Sequence, residues 1–225
     1  MPPAQWKLSP EELDSYPWVV LRFDTVGLMG GVNYNQAFDL SHACPTCGAG
    51  AQPIPTLIAN LNKMGRKQLD RTAHEGLFVI SVEFADALRS SGLTGFTILP
   101  VQHYSAATPD PRYFWLRIIS EWPRMHPRRI LAIEDLCPAC QRAGHFDTYE
   151  RPTEFWYHAV PESACDFNLT WEYFGVWRHH LSSRTFSVGG HQVPILSRRA
   201  RLFLREQHTK HVAFDPVFFN PTVAS

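Results

Sequence analysis

Short apolar runs separated by turn residues are the main pattern of this chain, and they predict a fold with more strands than helices. Residues 16–23, 77–81 and 96–101 are rich in β-branched, aromatic and other apolar residues, which is typical of half-buried strands. Three further segments have the same character: residues 112–120, 128–133 and 153–160. A longer segment, residues 56–71, places its apolar residues at helical spacing and predicts an amphipathic helix.

A strand–helix–strand pattern occurs twice, and the two copies are displaced by 116 positions without a gap. In the first copy Ser81 is a suitable N-cap, and Gly92 suits the residue that follows the helix. Five identities join Ser81 with Ser197, Leu88 with Leu204, Arg89 with Arg205, Pro100 with Pro216 and Val101 with Val217. This match predicts an internal duplication. The predicted fold class is therefore α+β, with two pseudo-repeated strand–helix–strand units and mainly antiparallel strands.

Two CxxC pairs are the strongest chemical signal in the sequence. They consist of Cys44, Cys47, Cys137 and Cys140, and a proline follows the first cysteine of each pair. The two-residue gap lets both sulfurs of a pair turn toward one tetrahedral metal ion, and the proline favours the tight turn. Because the pairs are far apart in sequence, one ion held by all four would connect the two halves of the chain. The sequence therefore predicts a structural Zn²⁺ that joins the pseudo-repeated units.

Other interpretations of the cysteines stay open at this point. The four residues could form two disulfides, or either pair could be a thioredoxin-like redox site. The ion could be catalytic, although four thiolates leave no open position for water or substrate. His42 or His145 could replace a cysteine as a ligand. Cys165 has no CxxC partner, and we predict that it is a small buried residue and not a nucleophile.

Composition and charge restrict the classes of function. Of the 225 residues, 44% are apolar and 19% are charged, which are values of a globular chain. The 21 basic and 21 acidic residues give a formal net charge of zero, which disfavours nucleic-acid binding through bulk charge. No apolar run approaches the length of a membrane span, and the polar N-terminus does not resemble a secretory signal. We expect a cytoplasmic protein with one compact domain, built of two related halves (about 16–120 and 121–218) with short flexible termini.

Aromatic and arginine residues in the C-terminal part are candidates for contacts with a protein partner. The helix of the second copy begins with Arg198 and Arg199 and also contains Arg201 and Arg205. Cations near a helix N-terminus oppose the helix dipole. This pattern predicts either a basic patch for an acidic partner or a solvated face with local carboxylates. Since Trp, Tyr and Arg dominate the energetics of many interfaces, the candidate partner-binding residues are Trp171, Tyr173, Trp177, Arg178, Arg198 and Arg201.

No catalytic motif supports an enzyme. The sequence contains no HExxH, GxSxG or kinase-type signature, and we therefore predict no catalytic residues. Two further function classes stay open. A zinc-stabilised enzyme with its site between the two halves would need a pocket with perturbed titratable groups. A zinc-ribbon module would bind nucleic acid in a salt-sensitive way.

The two CxxC motifs and the first repeat resemble a known family. The resemblance rests on CPTCG at 44–48, CPAC at 137–140 and FVISVEFADALRSSGLTGFTILPV at 78–101. These segments are similar to the double-CxxCG proteins of myxobacteria, members of which act as immunity proteins against toxins delivered between sibling cells. The similarity covers about residues 16–218 and departs from the motif at Gln141, where the family has glycine. It implies four cysteine metal ligands, a cytoplasmic site of action and a cognate toxin as the partner, and it leaves the oligomeric state undetermined.

Overall fold

The fold is α+β with strands in the majority, so the predicted class is confirmed at this level. The computed structural model describes residues 8–23, 38–54, 56–64, 68–71, 77–126, 136–144, 155–174, 191–209 and 212–219. The helices are α1 (Pro10–Asp14), α2 (Val82–Ser90) and α3 (Arg198–Glu206), with a short 3-10 helix at Leu61–Lys63. The strands are β1 (Trp18–Phe23), β2 (Phe38–Asp39), β3 (Gln52–Pro53), β4 (Leu57–Ala59), β5 (Leu69–Arg71), β6 (Phe78–Ser81), β7 (Phe96–His103), β8 (Tyr113–Ile118), β9 (Ala143–Gly144), β10 (Phe155–Tyr157), β11 (Phe167–Leu169), β12 (Tyr173–Phe174), β13 (Pro194–Ser197) and β14 (Val212–Phe219). None of the described helices is long and apolar enough to cross a membrane.

The first five-stranded sheet has the spatial order β4-β7-β8-β6-β5. Its central strand, β8, lies between β6 and β7 and is antiparallel to both. The helix α2 connects β6 to β7. The Ser81 hydroxyl caps α2 by accepting the Phe84 N–H at 3.2 Å, and Gly92 follows the helix with a φ of 66°. The predicted N-cap and the predicted glycine position are therefore confirmed.

The second five-stranded sheet has the order β10-β14-β1-β13-β11. Its central strand, β1, comes from the N-terminal part of the chain and is antiparallel to both β13 and β14. The helix α3 connects β13 to β14, and the Ser197 hydroxyl caps it by accepting the Ala200 N–H at 3.1 Å. Phe23 lies opposite Val212 in this sheet. The second sheet thus joins the beginning and the end of the described chain.

One central core contains side chains from both sheets and from both long helices. The rings of Phe84 on α2 and Phe203 on α3 lie 5.5 Å apart, so the two helices meet in this core. The other face of the first sheet has its own apolar cluster around Leu57, Val101 and Trp115. The other face of the second sheet has a corresponding cluster that contains Phe155, Tyr157, Ile195 and Val217. Both sheets are therefore covered on two faces.

The helix predicted over residues 56–71 is wrong. This stretch contains β4, which runs parallel to β7, the 3-10 helix Leu61–Lys63, and β5, which is antiparallel to β6. Leu57 and Ala59 are fully buried while Ile58 between them is half-buried, which is the period of a strand. Helix propensities differ by only a few tenths of a kcal/mol per residue, and burying a leucine side chain contributes about 2 kcal/mol. Pairing with the sheet therefore decides the local structure.

The other strand predictions have mixed outcomes. Residues 16–23, 77–81 and 112–120 contain β1, β6 and β8, residues 96–101 form most of β7, and residues 153–160 contain β10. These five predictions are confirmed. The strand predicted at residues 128–133 lies outside the described residues. The division of one domain into halves near residue 120 stays a prediction.

Candidate metal centre

Two tight turns bring all four CxxC sulfurs together. The Sγ atoms of Cys44 and Cys137 are 3.8 Å apart, and those of Cys47 and Cys140 are 3.5 Å apart. All four sulfurs lie within 4.8 Å of one another. Zn–S bonds of about 2.3 Å in a tetrahedral site place the sulfurs about 3.8 Å apart, whereas a disulfide needs about 2.05 Å. The cysteines are free thiols, and they could hold one metal ion.

The two turns have the same backbone conformation. In the first, the Gly48 N–H donates to the Cys44 carbonyl at 2.8 Å, and in the second the Gln141 N–H donates to the Cys137 carbonyl at 2.9 Å. The φ angle of Gly48 is 75° and that of Gln141 is 57°. Gln141 therefore adopts the left-handed conformation that a glycine takes at no steric cost, and a side chain there costs about 1 kcal/mol. The second motif therefore has glutamine where CxxCG has glycine, but its turn keeps the same backbone hydrogen bond and the same left-handed residue.

Backbone N–H groups point at the sulfurs. The Arg142 N–H donates to the Cys140 Sγ at 3.4 Å. Burial acts to raise the pKa of Cys44, but hydrogen bonds from the backbone of Cys47 and Thr46 outweigh it and lower this pKa to about 7. These hydrogen bonds favour the Cys44 thiolate, which is the form that binds a metal ion.

For two other thiols of the cluster, burial is the dominant influence and the net shift of the pKa is upward. Burial raises the pKa of Cys47 in the first pair and that of Cys140 in the second, because a charged sulfur loses hydration when it is buried. A bound metal ion would supply a positive charge beside them and would let the sulfurs of both pairs ionise together.

Each turn is fixed to a short two-stranded sheet. The first turn lies between β2 and β3, which pair with each other, and the second turn leads into β9, which pairs with β12. Tyr173 on β12 is buried against the cysteines, and its hydroxyl accepts the Gly50 N–H at 2.9 Å. This hydrogen bond ties the strand beside the second turn to the loop of the first turn. The sulfurs are therefore positioned by contacts that cross from one pair to the other.

Arg142 adds a polar layer next to the cysteines. Its guanidinium lies 5.1 Å from the ring centre of Tyr173 and 5.2 Å from that of Trp171. It also forms an ion pair with Glu121, and its Nε donates to the Trp171 carbonyl at 3.1 Å. Arg142 and Glu121 had no signal in the sequence, because their roles depend on the folded position of Trp171 and Tyr173.

The structure shows which of the residues that the sequence suggested as metal ligands lie together. The described cluster of metal-binding groups contains the four CxxC cysteines and does not include His42. His145 lies outside the described residues. Cys165 is half-buried and also lies outside this cluster, so the prediction that it is buried is only partly met.

The predicted partner-binding residues fall into three groups. Tyr173 and Arg201 are buried, so their side chains are not exposed to a partner in this conformation, and their role as partner contacts stays a prediction. Arg201 pairs with Asp14 on α1. Trp171 is half-buried and Arg198 is exposed. The remaining two candidates, Trp177 and Arg178, lie outside the described residues.

A cleft open to solvent is lined in part by Ala51 and Tyr173, which pack against the cysteines. Its lining includes residues of both five-stranded sheets, among them Trp115 and Leu169, and it also includes Tyr173. Burial raises the pKa of Tyr173, and its hydroxyl is used in the bond to Gly50. The Tyr173 hydroxyl is therefore already engaged in the contact between the two turns.

No protein-family model matches the chain, and no curated protein matches it either. The resemblance to the double-CxxCG proteins accordingly stays a prediction that rests on the residues quoted for it.

Proposed function

We propose that the chain is an immunity protein that binds and neutralises a cognate bacterial toxin, and that a structural Zn²⁺ at the four cysteines stabilises its fold. Thiolate sulfurs suit Zn²⁺, and four of them leave no coordination position for a substrate. An ion at this place would fix two segments that are far apart in sequence. A rigid, preorganised surface loses less entropy when it binds a partner, which is what neutralisation of a toxin requires.

The zinc proposal can be tested on the purified protein. We expect elemental analysis by mass spectrometry to find about one zinc ion per chain, because four thiolates fill one tetrahedral site. Removal of the ion with a chelator should cause cooperative loss of structure, measured by circular dichroism. A wild-type protein that is fully folded without any metal would overturn this part of the proposal.

The proposal of a protein partner rests on the exposed arginines at the start of α3. Arg198 and Arg199 are both exposed. Arg199 lies 3.7 Å from a carboxylate oxygen of Asp166, whereas the described residues provide no ion pair for Arg198. Positive charge at a helix N-terminus is unfavourable in the free protein. An acidic surface on the toxin would relieve this repulsion and would speed association.

Co-expression with the product of the adjacent gene tests the immunity function. We expect a stable complex on affinity purification and rescue of growth when the toxin is present. Arg198→Glu should weaken the complex at least tenfold, because a cation in contact with an acidic partner becomes an anion. Arg89→Glu, which reverses an exposed arginine on α2, is the matched control and should leave affinity unchanged.

Two results would contradict the immunity proposal or its proposed surface. The absence of both a complex and growth rescue would remove the toxin as the partner. A complex of unchanged affinity with Arg198→Glu would remove the start of α3 from the contact surface. Binding of RNA or DNA that weakens with salt would instead favour the nucleic-acid class.

We also propose that the two strand–helix–strand segments are copies of one ancestral unit. In support, β6, α2 and β7 have the same lengths as β13, α3 and β14, and each element is displaced by 116 positions. Both helices are preceded by an N-cap serine whose hydroxyl accepts the N–H of the third residue after it. Matching caps, lengths and spacing are expected of duplicated segments.

A further inference from the structure

The two five-stranded sheets have the same arrangement of strands. In each, a helix joins two parallel strands, a third strand lies antiparallel between them, and an outer strand pairs with each side. The outer strand beside the longer strand is parallel in both sheets, and the outer strand on the opposite edge is antiparallel in both. The corresponding pairs are β4 with β10, β7 with β14, β8 with β1, β6 with β13, and β5 with β11.

The register of the outer strands is also the same. Leu57 lies opposite Val101 in the first sheet, and Phe155 lies opposite Val217 in the second. On the other edge, Leu69 lies opposite Ile80 and Phe167 lies opposite Leu196. Both outer strands of the second sheet are displaced by 98 positions from their counterparts, while their partners are displaced by 116. A common displacement on both edges indicates that the outer strands belong to the duplicated unit.

The central strands correspond in register as well. Tyr113 of β8 lies opposite Ser81, and Trp18 of β1 lies opposite Ser197. On the other side, Phe114 lies opposite Pro100 and Val19 lies opposite Pro216. Backbone contacts next to these strands agree: the Val82 N–H donates to the Arg112 carbonyl and the Arg198 N–H donates to the Pro17 carbonyl, both at 2.8 Å.

The sequences of the two central strands carry the same correspondence. With this register, β1 (WVVLRF) aligns with β8 (YFWLRI) at a displacement of 95 positions. The dipeptide Leu21-Arg22 then coincides with Leu116-Arg117, and an aromatic residue begins both strands. The repeated unit therefore includes a central strand in addition to the CxxC pair, the outer strands and the strand–helix–strand segment.

The order of these parts along the chain differs from their grouping in space. The first repeat reads β1, the Cys44 turn, β4, β5, β6, α2 and β7, and the second reads β8, the Cys137 turn, β10, β11, β13, α3 and β14. However, β1 completes the sheet of the second repeat, and β8 completes the sheet of the first. We infer that the two repeats exchange their first strands, so that each repeat is the binding partner of the other. This inference rests on the proposed duplication and does not depend on the toxin.

The cysteines fit this reciprocal interface. Cys44 and Cys137 are equivalent residues of the two repeats, as are Cys47 and Cys140, at a displacement of 93 positions. The two short cross-distances given above join these equivalent residues, Cys44 to Cys137 and Cys47 to Cys140. Interfaces between two like units are self-complementary, and residues on the symmetry axis meet their own equivalents. The proposed ion thus receives half of its ligands from each repeat.

Reciprocal cysteine pairs in the full chain test the exchange. Arg22 lies opposite Ala213, and Arg117 lies opposite Thr97. Cα atoms of residues that face each other in an antiparallel pair are about 4.5–5.5 Å apart, which is within the range that a disulfide spans. We expect Arg22→Cys with Ala213→Cys, and Arg117→Cys with Thr97→Cys, each to cross-link within one chain under mild oxidation. Peptide mass spectrometry would locate the bonds.

The matched controls use the same four substitutions in the other two pairings. Without exchange, β1 would lie in the first sheet, so Arg22→Cys would cross-link with Thr97→Cys and Arg117→Cys with Ala213→Cys. We expect these two combinations to give at least tenfold less cross-link. Dominant links in the controls would overturn the exchange, and links that join two chains into a covalent dimer would overturn an exchange within one chain. The four cross-linking results do not depend on a toxin, so they would stand even if the proposed toxin did not bind.

A second measurement does not rely on new cysteines. Residues 104–109 between β7 and β8 are exposed, and a protease site placed there in the full chain would cut between the repeats. Because each piece provides the central strand of the other's sheet, we expect the two pieces to stay together in size-exclusion chromatography. Separation of the cut chain into two folded monomers would overturn the exchange.

Discussion

The two long helices occupy corresponding places in the two sheets, yet they use one buried position in opposite ways. On α2 this position is Ala85, a small apolar residue in the core. On α3 it is Arg201, whose side chain is 1% exposed and pairs with Asp14 on α1. The same framework can therefore accept either an apolar side chain or a paired cation, provided that a neighbouring element supplies the counter-charge. The second sheet, unlike the first, depends on the N-terminal segment for this charge as well as for its central strand.

The largest expected effect should be the same for a cysteine substitution in either half of the chain. Cys44→Ser and Cys137→Ser each remove one ligand from the same proposed ion, so both should lose zinc. Since metal binding is coupled to folding, each should lower the free energy of unfolding by about 3 kcal/mol or more. Metal analysis and denaturant unfolding would measure this.

Cys165→Ser is the control for these substitutions, because Cys165 lies outside the cluster. We expect it to keep its metal and its stability. A Cys137→Ser protein that retained both zinc and stability would show that the two halves do not share one ion.

The next largest effect is a change in melting temperature that should differ between α3 and α2. Asp14→Ala leaves the Arg201 charge buried without its partner, which is strongly unfavourable, and we expect the melting temperature to fall by several degrees. Asp86→Ala on α2 removes a pair with Arg89 in which both side chains are well exposed, and it should change the melting temperature by less than about a degree. Equal effects of the two substitutions would contradict the comparison.

The Asp14 contribution should also depend on pH. The hydrogen bond from Arg201 lowers the pKa of Asp14 below its ordinary value of 3.8. A carboxylate with a lowered folded-state pKa adds stability above its unfolded value, and this stability is lost as the pH falls through the folded value. The difference in melting temperature between the wild type and Asp14→Ala should therefore be constant near neutral pH and should shrink below about pH 4.

A smaller effect on stability is expected from a buried carboxylate beside the second sheet. Beside the second sheet, Glu172 is buried; one of its oxygens accepts the Met125 N–H at 2.8 Å, and the other has no hydrogen-bond partner among the described residues. Burial raises the pKa of Glu172. A raised folded-state pKa means that stability is lost as the pH rises through that value, so Glu172→Gln should stabilise the protein at neutral pH by about 1 kcal/mol. The gain should disappear in acid, as followed by thermal unfolding at several pH values; a loss of stability at neutral pH would contradict it.

The smallest effect compares the two CxxC turns. Gln141→Gly should stabilise the chain by about 1 kcal/mol, because glycine adopts the left-handed conformation without steric cost. Gly48→Gln places the same residue in the corresponding position of the first turn and should destabilise the chain by a similar amount. Denaturant unfolding at constant zinc concentration would measure both, and effects of the same sign would contradict the equivalence of the turns.

Local features of the fold could be predicted from the sequence because neighbouring residues determine them. The caps of α2 and α3 depend on Ser81 and Ser197 and on residues within one turn of them. The convergence of the two CxxC motifs was also predictable, because a two-residue gap lets both sulfurs of a pair turn toward one metal ion, and two such pairs can share it.

Features that depend on distant contacts could not be predicted in this way. The apolar positions of residues 56–71 fit a helix, and only the position of β7 shows why Leu57 and Ala59 form a strand. Arg201 looked like a surface residue because its partner, Asp14, is far away in sequence. Its burial had one signal, since Ala85 occupies the corresponding position on the apolar face of α2.

The position of β1 has a consequence for synthesis on the ribosome. Residues 19–23 leave the ribosome well before their partners in β14 are made, because those partners lie nearly 190 positions later in the chain. At about 5–20 residues per second, this strand waits for roughly ten to forty seconds with its backbone groups and apolar side chains unpaired. Throughout that time the nascent chain offers a binding site for chaperones, and any product that terminates before residue 212 cannot complete the second sheet.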